Sequence, residues 1–398
     1  MNSRFFIFFF LLSFLTGCER DFDCIDALPE GYFVEVIDRK EFGLADIMRL
    51  TRQDFPELDF DKLEEIRDLF DFDLRVEVTA IAYNTVDPSG NPVTASGIIV
   101  RPLDMESRGV IHVPPTTPLS NLEGGSDLLI ITEGVFAFIG YTVIIPDLIG
   151  SGTTKEVPQP FLFMDNTGRV CYDMHLAAME YCRKFTDHPL PAETIIFGYS
   201  GGATGAISLL RHIGWQSDPP IKVKEVFAGG GVYDLCNTYN HFKKSGYAEY
   251  PLAPLLIKSF DYWYKLNLDY TRIFRGDLLY NMESWLDRTR NAEQMRMLIN
   301  PDLHNYMHPD FFSSQSNAEY AKIESILPLH SFLQGWSPRV KIMLGHAKDD
   351  LSVPVTESEA LYNYLKNKTN VSLSYGSGGH YDYGIEFFVS AILYLSVN

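Results

Sequence analysis

Two β-rich runs, Leu74 to Tyr83 and Pro92 to Val100, flank the stretch Asp87-Pro88-Ser89-Gly90-Asn91. Proline presets one backbone torsion there, and glycine or asparagine accepts the left-handed region, so the pattern predicts a hairpin. Shorter apolar runs follow at Gly109 to Val113, Thr142 to Pro146, Thr194 to Phe197, Val223 to Ala228, Val340 to Leu344 and Val371 to Tyr375. Most are separated by segments of helical periodicity. Buried strands alternating with helices predict an α/β architecture, a mostly parallel sheet covered by helices on both faces.

Two segments depart from that rhythm. Ile47 to Phe70 carries apolar positions at helical spacing among many acids and predicts an N-terminal helical segment. The second, 236–336, combines helical periodicity with a dense aromatic set that includes Phe260, Tyr262, Trp263, Tyr264, Tyr280 and Trp285. An insertion of this size between core strands is a small subdomain and not a loop. Because such inserts sit at the carboxyl ends of parallel strands, where these folds bind ligands, it is expected to form a helical cap whose aromatics line a substrate pocket.

The amino terminus reads as an address. Phe5 to Leu15 is an apolar run behind Arg4, too short to span a bilayer as a mature helix but suited to an export signal. It ends in Leu15-Thr16-Gly17-Cys18, which resembles the bacterial lipoprotein processing box. That resemblance implies removal of 1–17 and acylation of Cys18. Several acyl chains on one residue would anchor the protein firmly to a bacterial membrane, each buried methylene adding about 0.8 kcal/mol. The outer membrane is the expected location, on either its periplasmic or its surface face. The organisation expected is therefore a signal (1–17), a tether with the helical segment (18–73), a first core portion (74–235), the cap (236–336) and a second core portion (337–398).

Composition narrows the partners. With 33 basic against 52 acidic residues the formal charge is −19, which repels a polyanion and argues against nucleic acid. Five cysteines in 398 residues, without a Cys-x-x-Cys pair, are too few for a disulfide scaffold. Cys171 and Cys182 lie about three helical turns apart, too far along one helix to bond each other, and are expected to be unpaired core residues.

Candidate chemistry sits in three separated motifs. Gly198-Tyr199-Ser200-Gly201-Gly202 follows a predicted strand and opens a predicted helix, and a G-x-S-x-G turn in that context exposes a serine hydroxyl on a sharp bend. Gly345-His346-Ala347-Lys348-Asp349-Asp350 follows another strand and offers a carboxylate to orient an imidazole. Asp350 is preferred and Asp349 is the alternative, while His346 reads as a surface or loop histidine. Gly376-Ser377-Gly378-Gly379-His380 is a flexible turn after the last strand that delivers an imidazole able to take the proton of Ser200.

The chain order Ser200, Asp350, His380 is that of an α/β-hydrolase. More narrowly, the sequence resembles the secretory lipase and esterase family in its hairpin 83–97, in Ile145-Pro146-Asp147-Leu148-Ile149-Gly150-Ser151-Gly152, in Ala228-Gly229-Gly230-Gly231-Val232-Tyr233-Asp234-Leu235, and in the acid loop, Asp350-Leu351-Ser352-Val353-Pro354. The resemblance implies an α/β-hydrolase fold and a serine esterase with Ser200, Asp350 and His380 as its triad, needing no metal or organic cofactor. Its expected substrate is a small-molecule, lipid or glycan ester.

One feature departs from that family. Where it carries a His-Gly step after the strand matching Gly109 to Val113, this chain has Pro114-Pro115-Thr116-Thr117. Proline has no N–H to donate. The expected oxyanion donors are therefore Gly201 and Thr116, with Thr117 as the alternative to the latter. His304 and His308, at i and i+4, lack the glutamate and third ligand of a zinc site and read as cap residues. Two rival readings are a serine peptidase of the same fold and a non-catalytic binding lipoprotein.

Overall fold

The computed structural model describes residues 30–43, 45–46, 49, 74–103, 105–129, 132–314 and 317–397. The export signal, Cys18, Cys24 and, apart from Arg49, the helical segment expected over Ile47 to Phe70 lie outside the described residues.

Among the described residues nine strands form one sheet, in the order β1-β2-β3-β5-β4-β6-β7-β8-β9. The predicted hairpin is β2 (Arg75–Val86) and β3 (Pro92–Pro102), in continuous antiparallel register from Val76 opposite Pro102 to Val86 opposite Pro92. Its turn is tied by Asp87, whose Oδ1 accepts the N–H groups of Ser89 and Asn91 at 2.8 and 2.9 Å. The remaining strands are β4 (Val110–His112), β5 (Thr142–Pro146), β6 (Glu193–Tyr199), β7 (Lys222–Gly229), β8 (Lys341–Ala347) and β9 (Val371–Gly376). From β5 to β9 all pairings are parallel, and every residue of β4 and β5 is buried.

The edge strand β1 (Phe33–Gly43) corrects the expectation that 18–73 comprises only a tether and a helix. It pairs antiparallel with β2, with register shifts near Val36. Its charged residues point mostly to solvent, as suits an edge, so no local hydrophobic alternation announces it. What anchors its start is distant in sequence. Glu180 Oε2 accepts the N–H groups of Gly31, Tyr32 and Phe33 at 2.9 to 3.1 Å.

Helices α1 (Met164–Phe185) and α2 (Gly201–Gly214) pack beside each other against the sheet. Cys171 and Cys182 are buried on α1 and free, and burial pushes the Cys182 thiol up to about 12. Between β7 and β8 the insert contributes α3 (Leu235–Ser245), α4 (Leu252–Tyr264), α5 (Gly276–Trp285), α6 (Ala292–Leu298) and α7 (Ala318–Glu324). Helices α8 (Thr356–Leu365) and α9 (Gly379–Val397) follow the last two strands.

Apolar side chains of the insert, such as Phe260, Phe274 and Phe311, belong to the same hydrophobic core as Ile207, Val226 and Leu361. Where the insert begins, buried Glu357 of α8 accepts the N–H groups of Tyr233 and Asp234 at 2.6 and 2.7 Å and the hydroxyl of Thr238 at 2.7 Å. Its aromatic set does not behave as expected. Phe260, Tyr264 and His330 pack against one another and against Phe163, whereas Tyr262 and Tyr280 face solvent.

The strand order reverses at β4 and β6. The chain leaves β4 toward β5 on one side and leaves β6 toward β7 on the other, so their carboxyl ends border a crevice. Open α/β sheets bind ligands in such a crevice.

Candidate active site

Ser200 stands at the end of β6, where strand gives way to α2. Its backbone is held at positive φ, with φ 55° and ψ −125°. A non-glycine residue held there costs of order 1–3 kcal/mol, so the surroundings must impose it. They do so through Ser200 N–H, which donates to Gly229 O at 2.8 Å, and through Ser200 O, which accepts from Ala203 N–H at 3.0 Å. The bend also needs space. A Cβ at Gly198 would collide with the carbonyl oxygen of Gly202, and one at Gly202 would stand 2.5 Å from Pro114 O.

His380 is the second residue of α9, reached through Gly378 and Gly379 at φ 95° and 74°. His380 Nε2 lies 2.8 Å from Ser200 Oγ, and His380 Nδ1 lies 2.6 Å from Asp350 Oδ2. Asp350 Oδ1 accepts the N–H groups of Ser352 and Val353 at 2.9 and 2.8 Å. Burial raises the Asp350 carboxyl, but hydrogen bonds from His346 and His380, the charge of His380 and the Val353 N–H outweigh it and hold the group well below the usual carboxylate range. The structure thus brings Ser200, His380 and Asp350 into one hydrogen-bonded chain.

Asp349 has a different place. Its two oxygens accept the N–H groups of Gly378 and Gly379, both at 3.2 Å, and these bonds hold the exposed carboxylate below its ordinary range. Neighbouring aspartates therefore grip one turn from two sides, one by its backbone and one by the imidazole.

His346 is neither on the surface nor in a loop. It lies fully buried on β8, with Nε2 3.0 Å from Val353 O and Nδ1 2.7 Å from Ser358 Oγ. A carbonyl can only accept, so Nε2 carries the proton and Nδ1 accepts from the serine. That Nε2 is also 3.3 Å from Asp350 Oδ2. Tyr199 is a second contributor that the motif left unassigned: its hydroxyl donates to His380 O at 2.6 Å, and its ring stands 5.2 Å from the imidazole. Only the tyrosine filling the variable position of G-x-S-x-G hints at this.

The two threonines weighed as the second oxyanion donor fall in different places. Thr116 is exposed, and it is Thr117 that faces α2, its backbone nitrogen 2.9 Å from where a Cβ of Gly201 would lie. Thr117 and Gly201 also share a narrow cleft of about 30 Å³, lined further by Pro118, Phe161 and Val170 and by the polar Gln159, Asn166 and Thr204. No aromatic of the insert lines it.

His304 and His308 turn to separate partners. His304 Nδ1 meets Asp302 at 2.9 Å and its ring stacks on Phe312, while His308 Nδ1 accepts from Asp310 N–H at 3.3 Å. Among the described residues no three His, Cys, Asp or Glu side chains gather in a way that could hold a metal ion.

No protein-family profile matches the sequence, and no curated protein matches it. Solved structures do match. A Legionella pneumophila protein described only as a hydrolase superposes with a TM-score of 0.74 at 16% identity, covering 91% of this chain and 97% of that one. The rice cell wall degrading esterase LipA from Xanthomonas oryzae gives 0.73 at 18% identity over 92% and 97% of the two chains. Candida antarctica lipase A in its closed state gives 0.57 at 13% identity over 93% and 84%. Together with the sheet order, these likenesses show that the chain has the α/β-hydrolase fold.

Proposed function

We propose that this chain is a serine hydrolase of carboxylic esters, working through Ser200, His380 and Asp350. The observation that carries the reading is the hydrogen-bonded chain from Ser200 Oγ through both nitrogens of His380 to Asp350, standing beside the N–H groups of Gly201 and Thr117. His380 Nε2 takes the serine proton as Oγ attacks the ester carbonyl, and Asp350 stabilises the resulting imidazolium without itself being protonated. The carbonyl oxygen, now an anion, is received by the two N–H groups. Removing one such donor typically costs about 3 kcal/mol of transition-state stabilisation. His380 then protonates the leaving alcohol, and water hydrolyses the acyl-enzyme by the same steps reversed.

The cleft beside Gly201 and Thr117 supports a small acyl group. Its roughly 30 Å³ holds about two water-sized groups, the scale of an acetyl. The proposal extends to the amino terminus, where Leu15-Thr16-Gly17-Cys18 supports export and a lipid anchor on Cys18.

Hydrolysis of p-nitrophenyl esters from acetate to long acyl chains, beside Ser200→Ala, tests the reading. Turnover greatest on the shortest esters and lost in Ser200→Ala is expected. A folded protein without turnover on any ester would overturn it, and an optimum on long chains would overturn the small acyl group alone. Palmitate labelling in a bacterial host, lost in Cys18→Ser, is the expected result for the anchor.

A further inference from the structure

Arg288 reaches from the insert to the loops that frame the second oxyanion donor. It follows α5 with its backbone in the left-handed region at φ 63°. Its Nη2 donates to Pro118 O at 3.1 Å and Ser120 O at 3.3 Å, its Nε lies 3.4 Å from Leu119 O, and its Nη1 donates to Gly150 O. Its own carbonyl accepts the N–H of Asn121 at 2.8 Å. One residue thus binds the loop after β4 at several points and ties it to the loop after β5.

That loop is poorly equipped to hold itself. Pro114, Pro115 and Pro118 have no N–H, so most of the backbone donors that would close a turn there are missing. Its shape is held by side chains, one from within the loop and one from the insert, and the division of labour is chemical. Glu123 Oε2 accepts the N–H groups of Leu119 and Ser120 at 2.9 and 3.0 Å, while the guanidinium takes the carbonyls. Burial lowers the Arg288 pKa to about 10, against the pull of Glu123, which leaves it charged at neutral pH. The neighbouring backbone is fitted to it as well. A Cβ at Gly150 would stand 2.5 Å from Arg288 Nη1.

We infer that Arg288 is a positioning residue for the oxyanion site: by holding Pro118 O, it fixes where the adjoining Thr117 N–H stands relative to Gly201 N–H. The insert therefore acts on the reaction through a guanidinium. This rests on the esterase reading, because an oxyanion exists only if Ser200 attacks a carbonyl. A lysine cannot substitute, since a single ammonium on a flexible stem lacks the planar fork that spans two loops.

The test compares wild type, Arg288→Lys and Arg288→Met, with active sites titrated by a fluorophosphonate so that kcat is expressed per competent site and misfolded protein drops out. Both variants should lose about 10- to 100-fold in kcat per site with KM within threefold, because the lost contact matters in the transition state. Affinity for a trifluoromethyl ketone, which forms a tetrahedral oxyanion on serine, should fall by the same factor. If Arg288→Met does not fold, Arg288→Lys, which keeps the charge, carries the comparison. Unchanged kcat per site, or reduced kcat with undiminished ketone affinity, would overturn the inference while leaving the esterase reading intact. A wild type inactive on every ester would overturn both.

Discussion

Asp350 Oδ2 lies between two imidazoles, 2.6 Å from His380 Nδ1 and 3.3 Å from His346 Nε2. Only the first of these reaches Ser200. The second is fixed by Val353 O and Ser358, and its contact with Asp350 helps keep that carboxylate ionised against the opposing effect of burial. His346 is thus a support for the acid, buried behind the reacting groups. His346→Gln is expected to lower kcat roughly 10-fold with little change in KM and to reduce thermal stability, because it orphans Val353 O or Ser358 Oγ. Steady-state kinetics beside thermal unfolding would check both effects, and an unchanged kcat would remove His346 from the machinery.

Asp349 and Asp350 should separate sharply on substitution. Asp350→Asn presents an amide to His380 Nδ1 and favours the wrong tautomer, which in a triad typically costs about 10⁴ in kcat. Asp349→Asn retains one acceptor for the Gly378 and Gly379 N–H groups and should cost less than about 10-fold. Comparable losses in the two variants would contradict the assignment of roles.

Gly201→Ala probes the approach of Thr117 to α2. The added Cβ would collide with Thr117 Oγ1 and stand 2.9 Å from Thr117 N, so the loop must retreat. We expect folded protein with kcat reduced about 10²-fold, the scale of one lost oxyanion donor, and near-normal fluorophosphonate labelling is not expected to survive alongside it.

A buried histidine pair sets a pH limit on stability. His112 Nδ1 on β4 lies 3.2 Å from His175 Nδ1 on α1, and both Nε2 atoms are buried without partners. Burial holds His112 well below its ordinary pKa and lowers His175 to about 3. Below about pH 6.5 the unfolded chain binds a proton at each site that the folded chain refuses. Stability present above pH 6.5 is therefore lost as pH falls toward 3, at up to about 1.4 kcal/mol per pH unit for each histidine. Urea unfolding at pH 7.5 and 5.0 should show wild type losing about 2 kcal/mol more than His175→Gln over that interval. An equal loss in the two proteins would exclude the pair as the source.

Much of the architecture is legible in the sequence because parallel strands buried on both faces are written as continuous apolar runs, and β4 to β9 each coincide with one. The hairpin is legible for a similar reason: its turn chemistry is local, carried by Asp87, Gly90 and Asn91. The strand β1 is not, since it is stabilised by pairing with β2 and by Glu180 far along the chain. Ser200, Asp350 and His380 announce themselves because each follows a strand in a turn that only small or turn-forming residues allow.

Which neighbour does what is another matter, and there local sequence has no access to the answer. Residues one position apart, Asp349 and Asp350 or Thr116 and Thr117, are chemically interchangeable on paper, and their roles differ only because the backbone turns them toward different partners. Arg288 carries no motif and His346 reads as idle within one, and their parts follow from which elements the fold packs against them. The order of motifs along the chain and the periodicity of its strands determined the fold class and the candidate nucleophile, base and acid. Tertiary packing decided the approach of Thr117 to Gly201, the support behind Asp350 and the grip of Arg288, because those depend on distances between segments that the chain brings together only when the sheet closes around the crevice between β4 and β6.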